Sequence, residues 1–243
     1  MKTTVLTAYD FNTARALEEA GIDYILVGDS LAMVGFGYSD TKKINLGTMV
    51  SCTRAVKRGA PNTKIITDIP KVEAEKASED FLKACKQIKK AGADIIKVEN
   101  AEAETLEKIK AAKAEGFEIM GHLGYTPQTF DKPTLVKDRE KLIEDAKKLE
   151  ELGVMGIVLE MVPSAIAKEI TELLSISTIG IGAGVDCSGQ VLVSDDMLGR
   201  YNLIQPKFLR RYSNQYEDSV CSFKNYINDV KSSSFPNEAE SYS

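Results

Sequence analysis

Tryptophan is absent from the 243-residue chain, and histidine occurs once, at His122. A single histidine excludes the two-histidine zinc motifs, which need paired imidazoles. No apolar run reaches the ~18 residues required of a membrane span. The N-terminus, Met1-Lys2-Thr3-Thr4, lacks the apolar stretch of a secretory leader and runs straight into a strand-like segment. The expected location is therefore cytoplasmic. Four cysteines, Cys52, Cys85, Cys187 and Cys221, are scattered with no C-x-x-C pair. They read as reduced thiols rather than a disulfide framework. Basic residues are not in excess: 31 Lys and Arg face 36 Asp and Glu, a net charge of −5. Nucleic acid and anionic membrane surfaces are thereby set aside as partners.

What the chain does contain is a repeated phrase. A charged amphipathic helix, a glycine and a short β-branched apolar run recur as ALEEAGIDYILVGD, CKQIKKAGADIIKVEN, AAKAEGFEIMGH and AKKLEELGVMGIVLEM. Apolar residues three and four apart predict one-faced helices, and glycine suits their C-terminal caps. The runs that follow, such as Ile25 to Val27, Ile95 to Val98 and Gly156 to Leu159, are too short for helices. They suit strands covered on both faces, as in a parallel sheet. Further strands are read at Thr4 to Ala8, Lys64 to Thr67, Thr178 to Gly182 and Gln190 to Val193. About eight strands within the usual ~250-residue size predict an α/β fold, a (β/α)₈ TIM barrel. A doubly wound open sheet alternates similarly and stays as the second architecture. The domain is read over 1–231, with extra C-terminal helix in the segment PKFLRRYSNQYEDSVCSFKNYINDVK, and 232–243 as a polar tail.

In such a barrel the C-terminal ends of the strands carry the site. Here those ends are polar in six successive units: Tyr9-Asp10, Gly28-Asp29-Ser30, Thr67-Asp68, Lys97 with Glu99, Gly121-His122, and Glu160. An Asp after a strand often caps the next helix, and Asp10 is equally well read that way. Lys97 within Ile95-Ile96-Lys97-Val98 is costly to bury unpaired, so Glu99 or a ligand carboxylate is its expected partner. Asp29, Asp68 and Glu99 together would repel one another without a cation among them. An all-oxygen set with spare positions suits Mg²⁺ rather than zinc. The loop Gly180-Ile181-Gly182-Ala183-Gly184 reads equally as a phosphate cradle or a plain turn.

At these residues the sequence resembles the ketopantoate hydroxymethyltransferase family. The resemblance is carried in order by LTAYD, VGDSLAM, TRAVKRGAP, TDIP, IKVE, GHLGYTPQ, LEMVP, IGIGAG, GQVLVSDDMLG and PKFLRRY. It implies a (β/α)₈ barrel assembling as a homo-oligomer, a decamer. It implies transfer of a hydroxymethyl group from 5,10-methylenetetrahydrofolate to 3-methyl-2-oxobutanoate, giving 2-dehydropantoate. By motif, Asp29 and Asp68 would ligate Mg²⁺ and Glu99 would support it through water. Ser30 and Lys97 would hold the keto-acid carboxylate, and Glu160 would be the proton acceptor. His122 is expected in a supporting role toward substrate or metal waters.

Two segments depart from the family pattern. After the second strand the chain reads GYSDTKKINLG, where the family has a histidine and a Leu-Pro-Val-like run. After GHLGYTPQ the expected GGYKVQG-like loop is replaced by TFDKPTLVKDRE. Lys71 also stands where phenylalanine is usual after TDIP. Two other readings accompany the resemblance. One is another Mg-dependent, enolate-forming barrel of the phosphoenolpyruvate mutase and isocitrate lyase group. The other is a non-catalytic keto-acid-binding barrel.

Overall fold

The computed structural model describes residues 1–242. Eight parallel strands close on themselves in chain order, each paired with its sequence neighbour and the eighth with the first. They are β1 (Thr3–Thr7), β2 (Tyr24–Val27), β3 (Lys64–Asp68), β4 (Ile95–Glu99), β5 (Ile119–Gly124), β6 (Gly156–Glu160), β7 (Ser177–Ile181) and β8 (Gly189–Leu192). The closed barrel replaces the open-sheet alternative, and each predicted strand is found within two residues or so of its expected bounds.

The helices are α1 (Phe11–Glu19), α2 (Leu31–Val34), α3 (Leu46–Gly59), α4 (Lys71–Ala74), α5 (Ser78–Ala91), α6 (Ala103–Ala114), α7 (Arg139–Glu151) and α8 (Ser164–Leu173), followed by α9 (Ser194–Met197) and α10 (Gln215–Lys231). The glycine that follows the helix in each repeated phrase takes a positive φ, from +73° at Gly153 to +116° at Gly92. This is the left-handed turn that releases a chain from a helix without a Cβ penalty. α5 buries Phe81, Ala84, Cys85, Ile88 and Ala91, a single face, against the outer wall of the barrel. Ile96 and Val98 of β4 belong to that same apolar cluster. The alternate residues of the strand, Lys97 and Glu99, are therefore directed to the other side, as the two-residue period of a strand requires.

Helix–strand alternation does not run to the end. β7 passes to β8 through a short loop with no helix. Gly182 and Gly184 both take positive φ there, and a Cβ on Gly184 would stand 2.5 Å from Cβ of Ser164.

By compactness the chain divides into Met1–Val193, the barrel, and Ser194–Ser243. Within the second unit, Tyr212 N–H donates to Met197 O and Gln215 N–H to Leu198 O, joining α9 to the start of α10. The helix expected from Pro206 onward begins only at Gln215. Within residues 206–214 the Tyr212 N–H goes to Met197 O and the Leu209 N–H to Pro206 O, bonds that do not continue as a helical ladder. The polar tail ends in a 3₁₀ turn, Glu238–Glu240, capped by Asn237, and its last residue lies outside the described residues. The four cysteines are free.

Candidate active site

The strand register assembles the site from residues far apart in the chain. Asp68 on β3 is paired with Lys97 on β4, Glu99 with His122 on β5, and Gly124 with Glu160 on β6. Asp29, Asp68, Lys97, Glu99 and His122 are all buried, none more than 5% exposed. Glu160 keeps a partly exposed side chain, at 18%. The Gly28 backbone makes room for this group, because a Cβ there would stand 2.8 Å from Ser30 Oγ.

Asp10 is not among them. Its carboxylate accepts from Thr13 N–H at 2.9 Å and Thr13 Oγ1 at 2.8 Å, so it caps α1. Four carboxylates, not five, remain at the mouth. Lys97 also has a different partner from the one expected. Its Nζ lies 2.6 Å from Asp68 Oδ1 and 3.9 Å from Glu99 Oε1. The register explains this: the neighbouring strand delivers Asp68 directly beside Lys97, whereas Glu99 stands two residues along the same strand.

The remaining contacts form a chain. His122 Nδ1 is 3.3 Å from Glu99 Oε1, and His122 Nε2 is 3.3 Å from Glu160 Oε2. One imidazole therefore bridges the carboxylates of β4 and β6. Asp29 N–H donates to Asp68 Oδ2 at 3.0 Å. Ser30 Oγ shares a 2.8 Å hydrogen bond with Tyr9 Oη. Gln128 donates its side-chain amide to Asp29 Oδ2 and its backbone N–H to Glu99 Oε2.

Burial pushes the Asp29 carboxyl well above the usual range, and the nearby Asp68 and Glu99 charges push it further. Burial alone would lower Lys97, but Asp68, Glu99 and Asp29 outweigh it and hold the ammonium above its ordinary value. Glu99 is held below the usual glutamate range, where hydrogen bonding and charge from His122 overcome burial. For His122, burial and Lys97 oppose the proton; Glu160 and Glu99 prevail and raise it to about 9. The directions agree: acid and imidazole stabilise each other's charged form.

Backbone geometry singles out the same strand ends. The residues directly after Glu99 and Glu160, Asn100 and Met161, have φ of +65° and +49°. Asn adopts this region readily, but a methionine there costs about 1–2 kcal/mol. Met161 is held by its own N–H to Ile181 O and by Val136 N–H to its carbonyl. The chain is thus reversed immediately behind the Glu160 carboxylate.

The two segments that depart from the family pattern meet at the mouth. Lys42, from the first, forms a 2.6 Å ion pair with Asp131, from the second. Tyr125 packs on Phe130 with ring centroids 5.8 Å apart. Gln128 and Tyr9 carry functional contacts that the sequence reading did not assign. Tyr9 stood at a polar strand end and Gln128 inside GHLGYTPQ, but neither position signals its partner.

The profile of the family described as ketopantoate hydroxymethyltransferase matches residues 1–238. A 3-methyl-2-oxobutanoate hydroxymethyltransferase of Clostridium novyi (strain NT) is 44% identical over 98% of this chain and 89% of its own. That of Nitrosopumilus maritimus (strain SCM1) is 43% identical over 100% and 89%. Among solved structures, a phosphonopyruvate hydrolase in complex with oxalate and Mg²⁺ superposes with a TM-score of 0.66. It covers 98% of this chain and 88% of its own at 13% identity, a likeness of fold. With the family profile spanning nearly the whole length and relatives above 40% identity, the chain belongs to the ketopantoate hydroxymethyltransferase family.

Proposed function

We propose that this chain transfers a hydroxymethyl group from 5,10-methylenetetrahydrofolate to 3-methyl-2-oxobutanoate, giving 2-dehydropantoate. The observation that carries the reading is the Glu160–His122–Glu99 chain beside the Lys97–Asp68 pair, all at one end of the barrel.

The donor set fits a magnesium ion. Four carboxylates face only Lys97 and His122 as cations, an excess of negative charge in a buried site. Asp68 Oδ1, Glu99 Oε1 and His122 Nε2 are buried and, apart from their ion-pair contacts to Lys97, His122 and Glu160, make no well-aligned hydrogen bond. Among the described residues, no group of three or more His, Cys, Asp or Glu is arranged to hold a metal by itself. The all-oxygen set of Asp29, Asp68 and Glu99 suits Mg²⁺, which takes one or two carboxylates and completes its shell with water and substrate oxygens. Asp29 and Asp68 would hold it directly and Glu99 through water. When bound, it supplies Lewis-acid stabilisation of the charge developing on the 2-oxo oxygen, worth several kcal/mol.

The chain's own residues do the rest. The Lys97 ammonium and the Ser30 hydroxyl, itself oriented by Tyr9, bind the keto-acid carboxylate. Glu160 removes the proton from C3 of the substrate, and a positioned base of this kind contributes roughly 10²–10⁴-fold. His122 keeps Glu160 in place through Nε2 while Glu99 anchors its Nδ1. The C3 carbanion equivalent then forms a C–C bond to the methylene carbon carried by the folate. Both C–N bonds to the folate break, water supplies the hydroxyl oxygen, and tetrahydrofolate leaves with the C3 proton and one water proton on its two nitrogens. No helix among the described residues is long and apolar enough to cross a membrane. We place the protein in the cytoplasm and expect a homo-oligomer, a decamer, as the family resemblance implies.

The test is proton NMR of 3-methyl-2-oxobutanoate in D₂O with purified protein and Mg²⁺, without folate. Loss of the C3 proton signal, dependent on both metal and Glu160, is the expected result. Methylenetetrahydrofolate added next should yield 2-dehydropantoate. Folded protein giving no exchange with any divalent ion would overturn the reading. Exchange without transfer would limit the chain to the enolising half-reaction.

A further inference from the structure

Gln128 closes GHLGYTPQ, the last residue before the altered segment, and is 5% exposed. Its side-chain nitrogen lies 2.9 Å from Asp29 Oδ2 and 3.0 Å from the Ile69 carbonyl oxygen. Its backbone N–H donates to Glu99 Oε2 at 3.0 Å. Both side-chain partners are pure acceptors, and a glutamine amide offers two N–H donors. The amide orientation is therefore dictated by its surroundings. One residue thus fastens an acid from the end of β2, the backbone just beyond Asp68 on β3, and an acid on β4.

We propose that Gln128 is a positioning residue that holds Asp29 and Glu99 in the arrangement that receives the divalent cation. The inference rests on the reading of the site given above. Asp29, Asp68 and Glu99 repel one another, and a carboxylate rotates freely about its side-chain bonds unless something fixes it. The Gln128 amide fixes Asp29 from one side while the Asp29 backbone N–H is spent on Asp68 Oδ2. Groups that orient a metal-binding carboxylate in this way typically account for 10–100-fold in metal affinity. A purely structural role makes a different claim: loss of the amide would lower stability and leave cation binding alone.

The test uses full-length protein freed of metal, with Mn²⁺ as the probe, titrated by electron paramagnetic resonance and by calorimetry. Gln128→Met keeps the length of the side chain and the backbone donor to Glu99 but removes both amide donors. Gln128→Ala removes the donors and the packing together. Mn²⁺ affinity should fall roughly 10–100-fold in both, by similar factors. The metal-free thermal midpoint should fall further in Gln128→Ala than in Gln128→Met. Wild-type Mn²⁺ affinity in Gln128→Met, or a loss that tracks the thermal midpoint across the two variants, overturns the proposal. Should Gln128→Met not fold, Gln128→Asn presents an amide one methylene short, which cannot span both acceptors. Its affinity should fall likewise, and unchanged affinity overturns the proposal. Wild-type protein that binds no Mn²⁺ would defeat the reading of the site itself. Wild-type binding with unaffected variants defeats only the role of Gln128.

Discussion

Gly124 lies against the backbone carbonyl of Glu160: a Cβ at 124 would stand 2.2 Å from that oxygen and 2.7 Å from Val162 Cγ2. The two residues are partners across β5 and β6, and Gly124 has φ of +91°. Both facts bar a side chain. Gly124→Ala is therefore expected to move the end of β6, and the Glu160 carboxylate with it. The left-handed conformation alone costs an alanine about 1–2 kcal/mol. Urea unfolding should register at least that loss, and C3 proton exchange should fall more than substrate binding does.

Glu160→Gln retains the size of the side chain and a hydrogen-bonding group beside His122 but removes the base. Exchange at C3 is expected to drop by roughly 10²–10⁴-fold. Binding of 3-methyl-2-oxobutanoate, followed by calorimetry, should stay near the wild-type value. A variant that exchanged at the wild-type rate would assign the proton to another group.

Lys97→Met removes the cation from a pair whose side chains are 5% and 3% exposed. Truncating one partner of a buried ion pair strands the other, at a cost of about 3–5 kcal/mol. Metal-free Lys97→Met should be destabilised by an amount in that range in urea, and Lys97→Met with Asp68→Asn should recover part of it. Keto-acid affinity should not recover in the double variant, because the ammonium that binds the carboxylate is still missing.

Asp196, in the short helix α9 that opens the segment after the barrel, supplies a pH dependence of stability. Burial and then the adjacent Asp195 raise its carboxyl to about 6 against 3.8, with Arg211 opposing. The folded chain thus keeps this proton at pH values where the unfolded chain has lost it. Raising the pH from about 4 through about 6 therefore removes stability. Asp196→Asn should flatten that part of the pH–stability curve and leave the variant the more stable of the two above pH 6. Thermal melts at pH 5 and pH 7.5 read the difference directly.

Local signals made most of the barrel legible. Helix periodicity, a glycine at each helix exit and short β-branched runs all act within a few residues, so Gly21, Gly92, Gly116 and Gly153 mark their turns unaided. Strand ends follow from the same pattern, which is why Asp29, Asp68, Lys97, Glu99, His122 and Glu160 could be named as a group. Local chemistry was ambiguous where one residue serves two ends equally. Asp10 looks like any strand-end acid until Thr13 is seen to take both its oxygens.

The sequence by itself determined the alternation of elements, their approximate bounds and the set of polar residues at one end. Tertiary structure alone decided which of those residues meet. Barrel closure and strand register gave Lys97 to Asp68 rather than Glu99, and set His122 between Glu99 and Glu160. They also brought Gln128 to Asp29, 99 positions away, and Lys42 to Asp131 across two altered loops. The reason is physical: helix and turn preferences are short-range, whereas partner choice depends on the shear and order of a closed sheet. No stretch of a few residues carries that information.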